Sequence, residues 1–161
     1  MTEREAADRA LSGHAAFEAD GEEFAVTATT FEARVAVEGT TAGPVYAVTV
    51  RVPTIDSVVA GETVAPVVQE GWLETFELRV ADVGGVTRLE PTAPEVSTDA
   101  AAEEVVVETS IPADRPNVAA DDAKAVVDFV EGTFVEGIIP GYTYREPVSG
   151  LIERARSAGE V

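Results

Sequence analysis

"FEARVAVEGTTAGPVYAVTVRVP", residues 31–53, decides the fold. Phe31, Ala33, Val35 and Val37 alternate with polar or small residues, and Tyr46, Val48, Val50 and Val52 do the same after the glycine- and proline-bearing interruption. A period of two puts each set on one face of a pleated strand. The spacing predicts two antiparallel strands over 31–38 and 45–52, joined by a six-residue connection. A hairpin with one apolar face needs more strands beside it and a layer to cover that face.

Upstream, "FEADGEEFAV" (17–26) offers a tight turn at Asp20-Gly21. Phe24, Val26 and Ala28 then alternate in the phase opposite to Phe31, Ala33 and Val35, so a bulge or a strand break is expected near Thr29-Thr30. "TEREAADRALSGH" carries a capping-box spacing from Thr2 to Glu5, which predicts helix one over 2–13. Downstream the period changes. Trp72, Leu73, Phe76, Val80 and Val83 share one arc of a helical wheel, with Glu70, Glu74 and Glu77 opposite, for a second helix over 66–83 ended by Gly84-Gly85.

Two further strands are expected at "GVTRLEP" (85–91) and "EEVVVETSIP" (103–112), with "TAPEVSTDAAA" (92–102) as an exposed loop between them. Asn117 suits an N-cap, and Ala123, Val126, Val127, Val130 and Phe134 form the apolar stripe of a third helix over 118–137. A fourth starts at Pro147 and stops at Gly159. The order is α-β-β-β-α-β-β-α-α: one α+β domain spanning 1–161, with an antiparallel sheet of about five strands and helices packed on one face.

Composition narrows the function. Thirty acidic residues face 11 basic ones, for a net charge of −19, and Lys124 is the one lysine. A GC-rich genome accounts for the missing lysines but not for the excess of acid, so the surface reads as that of a halophilic cytoplasmic protein, kept soluble by its carboxylates. The arginines are scattered, with no basic stripe and no interleaved aromatics, which argues against nucleic acid. No apolar run approaches the roughly 18 residues of a membrane span. Without cysteine there is no disulfide, thiolate metal site or cysteine nucleophile. The core must be small and β-branched, with 26 valines against 5 Ile, 5 Leu and 6 Phe.

The element order resembles that of the type III secretion chaperones and their bacterial relatives, small acidic proteins that often dimerise and bind partner chains. The sequence as a whole is similar to uncharacterised single-domain families of haloarchaea. The resemblance implies a binding module, chaperone-like, with a protein partner or a homodimer as its working state and no activity of its own.

Chemistry-bearing residues are few. His14 is the one histidine, and its place at the end of helix one suits capping of the helix dipole better than catalysis. The paired acids Glu22-Glu23, Glu103-Glu104 and Asp121-Asp122 have no calcium-loop pattern and read as solvated surface, and the glycines match no cofactor or phosphate loop. No catalytic residue, metal or cofactor is assigned. The candidate ligand- or partner-binding residues are Trp72 on helix two and Tyr142, Tyr144 and Arg145 in "GIIPGYTYREP" (137–147). In an extended segment the two tyrosines share one side and Arg145 takes the other. The 140–147 loop is then either a clasp, its rings holding the last helix on the core while Arg145 meets a carboxylate, or the wall of a groove for a small ligand or peptide. The second alternative would make the chain a ligand-binding protein or an enzyme.

Overall fold

A computed structural model describes residues 1–158. In chain order the helices are α1 (Glu3–Ser12), α2 (Pro66–Val80), α3 (Pro116–Glu136) and α4 (Val148–Ser157). The strands are β1 (Phe17–Asp20), β2 (Glu23–Val26), β3 (Glu32–Thr40), β4 (Gly43–Pro53), β5 (Val59–Ala60), β6 (Glu95–Asp99), β7 (Glu104–Pro112) and β8 (Thr143–Tyr144). Six strands form one antiparallel sheet in the order β1-β2-β3-β4-β7-β6, and β5 pairs with β8 in a separate two-stranded ladder. The α+β architecture stands as expected, with six strands where about five were anticipated and four main-sheet strands ahead of α2 where three were.

The β3–β4 hairpin is the spine of the sheet. Its register sets Ala33 against Val50, Val35 against Val48 and Val37 against Tyr46. Val48, Val50 and Val52 on β4 and Val105, Val107 and Ile111 on β7 face the same core. The connection is shorter than the expected six residues: pairing continues to Thr40 and Gly43, leaving Thr41 and Ala42 as the loop, with Gly43 at a φ of 120° that an L side chain rarely adopts. The change of face between β2 and β3 is a strand break, and Ala28 turns the chain there with a φ of 57°.

α1 and α3 pack on the sheet, while α2 and α4 pack against α3. The Thr2 hydroxyl caps α1 by accepting the Glu5 N–H. Tyr46 is buried under α1, where its hydroxyl donates to the Ala7 carbonyl at 2.6 Å and burial drives its pKa upward, with Asp8 adding to the shift. α3 supplies most of the covering layer through Ala119, Ala120, Ala123, Val126, Val127, Val130 and Phe134.

Three local expectations are corrected. Residues 85–91 form no strand, because Asp122, 3% exposed on α3, takes the Arg88 and Leu89 N–H groups on its two carboxylate oxygens at 3.0 and 2.9 Å. Those donors are lost to a ladder. The strand lies instead in the expected loop: β6 pairs with β7 as the sheet edge, where a mostly polar sequence with exposed Glu95 and Ser97 is tolerated. α3 begins at Pro116, whose fixed φ suits a first helical position, so Arg115 is the cap residue and Asn117 lies inside the first turn. α2 closes at Val80 and a short 3-10 turn over Val83–Gly85 follows. The Gly159 stop of the last helix lies outside the described residues.

Candidate functional site

α2 buries one apolar side and carries two large apolar residues among glutamates on the other. Trp72, Phe76 and Val80 face the core, and the Trp72 ring stacks on Phe76 at 5.4 Å and meets Phe134 of α3 edge-on at 5.8 Å. On the solvent side Val67 and Leu78 are 73% and 74% exposed. Eleven residues separate them, about three helical turns, so they lie nearly above one another. Gly71 stands between them and opens the surface, with no atom near where a Cβ would be.

A groove of about 280 Å³ runs between α2 and the end of α3, lined by Trp72, Thr75, Phe76, Thr133, Gly137 and Ile139 among others. Trp72 is 7% exposed, and its Nε1 has no hydrogen-bond partner among the described residues. A Cβ added at Gly137 would stand 3.3 Å from that nitrogen. The helix stop at Gly137 therefore also leaves room over the indole N–H.

The two tyrosines lie outside this groove and buttress its rim. Tyr144 pairs with Val59, Thr143 with Ala60, and the Arg145 N–H donates to the Val58 carbonyl at 2.8 Å, so the segment is extended over these residues. The half-buried rings of Tyr142 and Tyr144 meet edge-on at 6.5 Å. The Tyr144 hydroxyl accepts from the Ile139 N–H at 3.1 Å and donates to the Ile139 carbonyl at 2.8 Å, which pins the residue lining the groove. Burial raises the Tyr144 pKa, the Ile139 main-chain bond opposes that, and Tyr142 adds to it. Arg145 is exposed and reaches the Ser57 carbonyl at 3.4 Å, where the clasp expectation had it meet a carboxylate. Ile139 lines the groove with Trp72 and is held by Tyr144, while neither tyrosine nor Arg145 is among the lining residues.

A larger groove of about 830 Å³ lies between the 28–30 turn, α3 and α4, and four of its polar lining residues, Thr29, Thr30, Glu131 and Arg154, bond to one another. The Glu131 carboxylate accepts from the Thr29 hydroxyl at 2.6 Å and the Thr30 N–H at 3.1 Å, and Arg154 donates to the Thr30 hydroxyl at 3.1 Å. His14 is likewise engaged at both nitrogens: Nδ1 accepts from the Ala16 N–H at 3.1 Å, which leaves Nε2 to donate to Asp121 at 2.8 Å. Neither nitrogen is free to take a proton from a nucleophile. The ring ties the end of α1 to α3.

Sequence reasoning passed over Val67 and Leu78, which lie outside the core arc of the helical wheel, and gave Gly137 no role beyond the end of the third helix. Ile139 and Thr133 carried no signal, because their role arises where α2 and α3 meet. Among the described residues no helix is long and apolar enough to cross a membrane. The sequence profile of a family of unknown function (DUF5813) matches residues 12–154. No curated protein and no solved structure matches the chain.

Proposed function

We infer that the chain, which belongs to this family of unknown function, DUF5813, is a non-enzymatic protein-docking module whose docking surface is the outer side of α2. The observation that carries this reading is the pair Val67 and Leu78, two large apolar side chains left in solvent on a helix that already buries Trp72, Phe76 and Val80 on its other side. Scattered single apolar residues are ordinary on a surface, but an aligned pair three turns apart, with Gly71 open and Glu74 charged between them, offers a partner helix two apolar contacts, a seat and a charge to meet.

Charge decides what kind of helix. Glu74 stands on the line between Val67 and Leu78, one turn before Leu78, and Glu70 and Glu77 run along one flank of it. Two copies of α2 packed antiparallel would set that acidic flank against itself, and each chain carries −19 overall. A helix of another protein, apolar along one line and rich in arginine or lysine beside it, meets both features. The acidic, nearly lysine-free composition supports a high-salt cytoplasm as the place where this happens, with the whole chain, 1–161, as the docking unit.

The test is a titration in molar KCl with a synthetic amphipathic peptide carrying a leucine ridge and an arginine flank. At that ionic strength the Debye length is about 3 Å, so non-specific attraction to the acidic surface is screened. Binding should weaken about tenfold or more in the Val67→Ser, Leu78→Ser double variant, since each residue removes a buried aliphatic contact. Absence of binding, or binding indifferent to the two serines, overturns the reading. Self-association of the chain alone through the same two residues, read by sedimentation, would make the occupant a second copy. In the same buffers, helix circular dichroism that does not fall as KCl is lowered to millimolar would sink the halophilic part.

A further inference from the structure

Beyond docking on the outside of α2, we propose that the groove between α2 and α3 is a binding site for a small apolar molecule carrying a neutral carbonyl or amide oxygen, with the Trp72 indole N–H as the donor that recognises it. The indole nitrogen is enclosed and has no partner among the described residues. A buried donor left unpaired costs about 1–3 kcal/mol, and native structures seldom keep one without a use. Here the unpaired group, though enclosed, lies at the wall of a groove: Trp72 lines it, and so does Gly137, whose added Cβ would stand 3.3 Å from the nitrogen. It borders a concave space of about 280 Å³, near the lower end of the range for small-ligand pockets.

The walls define the rest of the ligand. Phe76, Ile139 and the face of Trp72 give it apolar sides. Thr133 and Thr75 both line the groove, but their hydroxyls already donate, to the Phe129 carbonyl at 2.8 Å and the Gly71 carbonyl at 2.9 Å, so neither competes as the donor. Arg79 and Glu136 both line the groove, exposed and of opposite sign, so its lining carries no net charge. The interior donor is itself uncharged. A neutral acceptor therefore fits better than a carboxylate, whose charge would find no net positive charge in this lining within a strongly acidic protein. Gly137 is what gives the acceptor access, since any side chain there would stand against Nε1.

Trp72 is the single tryptophan of the chain, so a nitrogen-15-labelled sample gives one indole resonance and every change in it belongs to this site. Three probes of one shape separate the chemistry: cyclohexanone as neutral acceptor, cyclohexanecarboxylate as charged acceptor, and cyclohexane as the form without an acceptor. Cyclohexanone should move the indole proton downfield along a saturable curve, cyclohexanecarboxylate more weakly, and cyclohexane should not produce the downfield shift. Trp72→Phe keeps an aromatic ring but removes the donor, and should weaken cyclohexanone binding roughly tenfold when followed on the ligand resonances, the worth of one hydrogen bond of this kind. Gly137→Ala, at the exit of α3 and outside the core, should cause a comparable loss without removing the tryptophan. An indole resonance that ignores cyclohexanone, or responds equally to cyclohexane, overturns the proposal, as does unchanged binding in both variants. The docking surface is tested independently, because Val67→Ser with Leu78→Ser leaves Trp72 and Gly137 in place.

Discussion

α2 and α3 lie side by side, yet only one of them is accounted for by the fold. α3 runs for 21 residues and buries Ala119, Ala120, Ala123, Val126, Val127, Val130 and Phe134 along one continuous stripe, with Asp122 and Thr133 as buried polar members that both have partners. α2, at 15 residues, buries three side chains, leaves the polar atom of one of them without a partner, and carries two large apolar residues in solvent. Burial drives folding, and α3 leaves no large apolar residue exposed, Val118, Phe129 and Val135 being half-buried, so it needs no further explanation. What α2 holds in excess of its packing, an exposed apolar pair and an idle donor, is where the fold and the sequence disagree, and such disagreements concentrate at functional positions.

The comparison breaks first if α3 can be damaged cheaply. Phe134→Ala should cost about 3–5 kcal/mol, since the ring is fully buried and meets both Phe31 at 4.9 Å and Trp72 at 5.8 Å. Chemical denaturation in high salt measures it, and a loss below about 1 kcal/mol, the scale of a surface position, would mean that α3 is not the keystone described.

A smaller effect tests the polar half of α3. Asp122→Ala removes the acceptor of two main-chain N–H groups, and the expected cost is about 2–3 kcal/mol, because bonds to a carboxylate are stronger than neutral ones. Hydrogen exchange at Arg88 and Leu89 should accelerate while the β3–β4 ladder stays protected. If protection at those two amides is unchanged, the carboxylate is not what holds residues 85–91 away from the sheet.

These residues also mark the limit of what could be read from the sequence. The β3–β4 hairpin was legible because burial on one face writes a period of two directly into Tyr46, Val48, Val50 and Val52. α2 and α3 were legible for the corresponding reason at a period of 3.6, and α1 and α4 from the residues at their ends. The 85–99 region was not: the strand fell at the sheet edge, where Val96 is its one partly buried aliphatic residue, and the apolar-looking "GVTRLEP" was claimed by a carboxylate more than thirty positions away. Of the candidate site residues, Trp72 stood out as the single tryptophan on an apolar arc and the tyrosines as an aromatic pair between prolines. The groove itself was not, because Thr133, Gly137 and Ile139 acquire their meaning only when α3 is laid against α2.

The smallest expected effect is the most exacting for α2. Leu78→Ala should change stability by less than about 0.5 kcal/mol, because the side chain is 74% exposed and alanine is at least as good a helix former. Val80→Ala, two positions along the same helix and fully buried, should cost about 1–2 kcal/mol through lost transfer energy and the space left behind. The contrast, rather than either value, carries the meaning. Both substitutions remove aliphatic groups from one turn of one helix, so differences in propensity or in the unfolded chain largely cancel. A large loss at Leu78 would show that the residue already covers something within the monomer, and it would then be part of the core with nothing left over for a partner. Equal and small losses at both positions would show that α2 as a whole is loosely held, and a loosely held helix could not keep Val67 and Leu78 aligned as a docking surface. Only a silent Leu78 beside a costly Val80 leaves a rigid helix with apolar surface to spare.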